Sequence, residues 1–144
     1  MSKRSEAIRA RIKKSAEFMR EANILLQNRL YYGFINRLYY SCFHVTKALL
    51  LTRDLVSKTH SGTVTLLNQK FVRENVFDAA QAAFFQELMN ERIQSDYDEF
   101  MIFDEDSVTK FIEPSKLYVD YVIQIIEKYF EENPDDIDKP SLFP

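Results

Sequence analysis

Glycine is scarce in this chain, with two residues in 144. Strand-rich folds with tight turns and phosphate-cradling loops both need residues at positive φ, so both are disfavoured. Proline is rare and late. The four prolines stand at 114, 134, 140 and 144, and nothing in the first 113 residues must break a helix. A single cysteine, Cys42, rules out an internal disulfide and any cysteine-based zinc site. No apolar run reaches the length of about 18 residues that a membrane-crossing helix needs. The first residues are charged where an export signal would be apolar, which predicts a cytoplasmic protein. The net charge is −3 and the isoelectric point about 5.5, so the whole-molecule field carries no nucleic-acid signal.

What the chain does have is helical periodicity in a length suited to one domain. The spacing predicts a first helix from about Ser5 to Gln27, with Ile8, Ile12, Ser15 or Ala16, Met19, Ala22 and Leu26 inward. A second runs from about Tyr31 to Leu51 and is apolar on more than one face, so it should be central. Thr59 or Ser61 can cap a short third helix through Gln69 that buries Val64 and Leu67. Asp78 precedes a fourth helix from Ala79 to about Tyr97, and Tyr97 itself can reach inward. Asp104–Ser107 reads as a loop with an N-cap. A last helix runs to Phe130, with Pro114 either kinking it or opening its second part. The expected architecture is an all-α, antiparallel, up-and-down bundle of four to five helices over residues 1–131. Residues 132–144 read as a flexible C-terminal tail, rich in Pro, Asp and Glu.

Four groups of residues are candidates for chemistry. Asn36-Arg37-Leu38-Tyr39-Tyr40-Ser41-Cys42-Phe43-His44 puts an amide, a guanidinium, two phenols and an imidazole on one helix. Arg37 and His44 fall within about 20° of each other and roughly 10 Å apart along the axis. An arginine holds phosphate, and a nearby imidazole can move the proton of a ribose 2′-hydroxyl. The alternative is that Arg37 pairs with a carboxylate on a neighbouring helix and His44 is a satisfied interior histidine. Asn36, Tyr39 and Tyr40 can bind a ligand or form a buried amide–phenol network. Lys58-Thr59-His60-Ser61-Gly62 can hold an anion at a helix start or simply cap it. Arg92 and Asp96 lie one turn apart and can pair, with Tyr97 beside them. The acidic run from Asp96 to Asp106 lacks the spacing of a calcium loop, and no pattern calls for a cofactor, so neither a metal nor a cofactor is expected. The first twenty residues are locally basic, and the contrast with that acidic run either steers a partner or marks solvated faces.

Together the segments Asn36-Arg37-Leu38-Tyr39-Tyr40-x-x-Phe43-His44, Lys58-Thr59-His60-Ser61-Gly62 and Arg92-x-x-x-Asp96-Tyr97 resemble the HEPN domain superfamily over about residues 5–130. The specific likeness is to small prokaryotic members encoded beside minimal nucleotidyltransferases. The resemblance implies a helical bundle that forms a homodimer. For active members it implies a metal-independent ribonuclease toxin whose site is Arg, four to six residues, then His, commonly followed by one residue and Tyr. It also implies a cognate nucleotidyltransferase as antitoxin, in some systems adding AMP to that Tyr. At the expected place this chain has Arg92-x-x-x-Asp96-Tyr97, with Asp where the histidine stands in active members. Arg37-x6-His44 meets the literal spacing, but on the second helix, with Thr46 in the tyrosine position. The implied catalytic residues are therefore Arg37, His44, Arg92 and Asp96. The implied nucleotide- or RNA-binding residues are Asn36, Tyr40, Lys58, His60 and Tyr97. Two functions follow: a ribonuclease toxin, or a non-catalytic binding or adaptor subunit of the nucleotidyltransferase.

Overall fold

The computed structural model describes residues 2–134; most of the expected tail lies outside the described residues. Among them there are helices and no strands. Helix α1 spans Lys3–Gln27, α2 Tyr31–Leu51, α3 His60–Leu67, α4 Ala79–Tyr97, α5 Glu105–Thr109 and α6 Ile112–Glu132. Four long helices thus form the bundle and two short ones link them. No helix among the described residues is long and apolar enough to cross a membrane.

Each long helix starts or stops where its chemistry dictates. Ser2 caps α1 by accepting the Ser5 N–H at 3.1 Å. At its other end Asn28 donates to the Ile24 carbonyl, and Arg29 turns the chain with φ of 59°. This short turn makes α2 the antiparallel neighbour of α1. The two helices approach closely because small residues face each other. A Cβ on Gly33 would come within 3.1 Å of Leu25. Further along, Ser15 and Ser41 are fully buried and exchange hydrogen bonds. The Ser15 hydroxyl donates to the Ser41 carbonyl at 2.7 Å, and the Ser41 hydroxyl donates to the Ser15 carbonyl at 2.8 Å. Ser15, not Ala16, is the inward residue of that pair.

Helix α2 is the axis of the molecule. Its expected stripe of Ile35, Leu38, Cys42, Val45 and Leu49 is buried, and so are Phe34, Tyr39, Ala48 and Leu50 on other faces. It packs against α1, α3, α4, α5 and α6. Thr46 ties it to α6 through a 2.6 Å hydrogen bond with the Tyr118 hydroxyl. Between α2, α4 and α6 lies an aromatic stack. Phe85 is fully buried, with its ring centroid 5.9 Å from Tyr39 on one side and 5.4 Å from Tyr118 on the other.

One boundary differs from the periodicity, and one open alternative is decided. The third helix does not end near Gln69; a π turn at Asn68–Val72 carries it on and turns Phe71 inward. The last helix breaks at Lys110–Phe111, ahead of Pro114, which then sits in the first turn of α6 where its missing N–H costs nothing. Tyr97 does not reach the core and is 82% exposed.

Candidate functional site

The polar residues of α2 gather on a wall of rings shared with α1, α3 and α4. His44 is buried, stacked flat on Phe18 of α1 at 5.3 Å between centroids, and edge-on to Phe43 at 5.4 Å. Arg11 of α1 donates from Nη1 to His44 Nδ1 at 2.9 Å. A guanidinium cannot accept a hydrogen bond, so the neutral imidazole carries its proton on Nε2. Burial first, then the charges of Arg11, Lys14, Lys47 and His60, push the His44 pKa down to about 4.

His60, the first residue of α3, approaches from the other side. Its place is set by the cap before it: Thr59 accepts the Gly62 N–H at 2.9 Å. A Cβ on Gly62 would stand 2.8 Å from the Thr59 hydroxyl, so glycine lets that cap close. The His60 ring stacks on Phe43 at 4.5 Å, and its Nδ1 is hydrogen-bonded to the Tyr39 hydroxyl at 2.6 Å. Burial, with Arg92 and Lys47 adding to it, lowers its pKa too. Burial raises that of the Tyr39 phenol, which stays protonated. Tyr40 packs against both imidazoles, at 6.2 Å from His44 and 5.8 Å from His60. The two histidines are therefore neighbours across Phe43 and Tyr40.

Cations surround this wall. Lys47 lies 5.7 Å from the Phe43 ring and donates to the Ser57 carbonyl at 2.8 Å. Arg92 of α4 lies 4.9 Å over Tyr39 and 5.7 Å over Tyr40, a cation–π arrangement on two rings. Its Nη1 pairs with Asp96 at 3.0 Å, while its Nε is buried without a hydrogen-bond partner. Arg37 lies 5.7 Å from the Phe18 ring, so it shares that ring with His44. Its Nε pairs with Glu21 of α1 at 2.8 Å, and its Nη1 donates to Asn36. Asn36 therefore joins Arg37, and the tyrosine network runs through His60 instead.

The structure thus brings together Arg37, Tyr40, His44, His60 and Arg92, with Asn36 and Asp96 at the rim. Lys58 and Tyr97 are exposed. Arg11, Phe18 and Lys47 were missed by the sequence reading. The spacing of Arg11, Lys14 and Phe18 at three and four residues puts them on one helix face, and that was the available signal. Cys42 is no nucleophile, since complete burial pushes its thiol up to about 12. Among the described residues, no three His, Cys, Asp or Glu side chains form a group able to hold a metal ion.

The HEPN domain profile matches residues 8–129, which includes every residue of this wall. The chain belongs to the HEPN domain family. It is 28% identical over 127 residues to a UPF0332 protein of Thermotoga maritima, an alignment covering 88% of this chain and 96% of that one. Two proteins of Methanocaldococcus jannaschii, each named "Putative toxin", are also similar. One is 36% identical over 92 residues, covering 64% of this chain and 69% of its own length. The other is 38% identical over 84 residues, covering 58% and 57%.

In this HEPN domain the depressed histidine pKa makes stability depend on pH. An unfolded His44 takes a proton near 6.5, whereas the folded one stays neutral down to about 4. The stabilisation is whole above 6.5 and is lost as pH falls through that window, by about 1–3 kcal/mol. His60 adds in the same direction. Melting temperature recorded across the window should drop for the parent chain and drop less for His44→Gln. Equal slopes would mean that His44 is not the group involved.

Proposed function

We propose that this protein is a toxin-type HEPN subunit that binds the phosphate–ribose backbone of RNA on the ring wall and cleaves it without a metal. One observation carries the reading: two imidazoles converge on Phe43 and Tyr40, with Arg11, Lys47 and Arg92 around them. Cations hold phosphate. In the proposed step one neutral imidazole removes the 2′-hydroxyl proton. The 2′-oxygen bonds to phosphorus, the bond to the 5′-oxygen breaks, and the other imidazole, protonated once the bound phosphate's charge raises its pKa, protonates that leaving oxygen. The guanidinium groups stabilise the charge gathered on the phosphorane. The toxin names of the two archaeal relatives support the same reading.

The proposal includes a homodimer in the cytoplasm and a cognate nucleotidyltransferase as the antitoxin. Exposed Tyr97, Phe100 and Ile102 supply apolar surface for an interface. A specific pair of contacts favours a second reading, a subunit that binds RNA or nucleotide without its own chemistry. Arg11 already occupies His44 Nδ1, and Asp96 already occupies Arg92. Expression of the chain alone separates the two. Growth arrest, with RNA cleavage by the purified protein in the presence of a chelator, is expected. RNA binding with neither arrest nor cleavage would leave the binding subunit. Absence of RNA binding would remove both.

A further inference from the structure

Arg11 makes an unusual use of a cation, because it fills the lone pair of the very imidazole that the proposed chemistry needs. The contact at 2.9 Å leaves His44 Nδ1 unable to take a proton. On one side of His44 stand Arg11 and Lys14 of α1. On its own helix stand Lys47 and the rings of Tyr40 and Phe43. From α3 comes His60, itself facing Arg92 of α4. No carboxylate among the described residues pairs with Arg11 or Lys47; Glu21 and Asp96 are engaged by Arg37 and Arg92. Burial first, and then the charge of Arg11, also disfavours the charge of Lys47. An anion between them would relieve that repulsion, and a guanidinium bonds a phosphate oxygen more strongly than a neutral imidazole nitrogen.

We infer that Arg11 is a phosphate-operated latch on His44. A phosphate oxygen entering between Arg11 and Lys47 draws the guanidinium off Nδ1, and the freed nitrogen takes up a proton from solvent. The inference rests on the phosphate-binding reading above and adds the order of events: the imidazole is kept inert until the substrate's own charge releases it. Arg11 acts here as a positioning residue. The device would hold the free protein catalytically silent and couple phosphate binding to proton uptake.

The test follows the imidazole nitrogens by NMR in the full chain, with inorganic phosphate as the probe against a chloride control. In the parent protein, phosphate should lose His44 Nδ1 its bond from Arg11 and raise the His44 titration midpoint by about one pH unit or more. His60, whose Nδ1 partner is the neutral Tyr39 hydroxyl, should move less. In Arg11→Met the Nδ1 lone pair should be free from the start, with a midpoint above the parent's and a smaller response to phosphate. The inference is overturned if phosphate perturbs Lys47 and leaves His44 unmoved. It is equally overturned if Arg11→Met responds as the parent does, or if millimolar phosphate does not bind. RNA capture, measured separately on the parent and on Lys47→Met, decides the underlying reading. RNA binding that weakens in Lys47→Met while the latch test fails leaves that reading standing, and no RNA binding by the parent ends it.

Discussion

RNA cleavage should fall by ~10²–10⁴-fold in His44→Gln, the range that general acid–base catalysis contributes. Glutamine is chosen because its side-chain oxygen can still accept the hydrogen bond that Arg11 now gives to Nδ1. The parent fold should then survive with a modest loss, since the stacking on Phe18 goes but the buried donor keeps an acceptor. Cleavage of a single-stranded RNA by purified protein, beside the melting temperature of both proteins, reads the two effects apart. Undiminished cleavage would remove His44 from the chemistry. A large loss of melting temperature, with no cleavage by the parent, would make His44 a packing residue.

The largest loss of stability should come from Phe85→Ala, at about 3–5 kcal/mol. Phe85 is fully buried and lies between the rings of Tyr39 and Tyr118. Removing it opens a cavity where α2, α4 and α6 meet, and the two tyrosine hydroxyls leave little freedom to collapse into it. Tyr118 is tied to Thr46 and Tyr39 to His60. The effect should therefore reach the ring wall. Tyr39 positions His60 and carries Arg92 over its face, so RNA binding should weaken even at temperatures where the variant remains folded. Chemical denaturation gives the first quantity and RNA binding at low temperature the second. Phe85→Leu serves as the control, because it refills most of the volume and should recover both. A cost for Phe85→Ala near that of an exposed substitution would contradict the central place assigned to this stack.

Much of the fold was legible in the residue pattern. The start and end of α2, the cap at Asp78 and the span of α4 all follow from apolar spacing and capping chemistry. The π turn after Leu67 was not legible, because the demand to bury Phe71 comes from its surroundings rather than from local propensity. Nor was the break before Pro114, since a proline in a first turn and a proline at a kink give the same sequence signal.

For the wall itself the division is sharper. Residue pattern alone makes this an all-helical chain of scarce glycine, with a polar and aromatic second helix whose motif marks the family. The same pattern puts Arg37 and His44 on one flank of α2, because seven residues make nearly two full turns. Their company comes from the packing of the other helices. Arg37 turned to Glu21, and His44 took Arg11 from a helix that the sequence presents only as locally basic. His60 reached the same ring as His44 because α3 folds back against α2 after the Thr59 cap. A net charge of −3 gives no hint of this local excess of cations. Net charge averages over the surface, whereas a site is made where separate helices bring like charges onto shared rings.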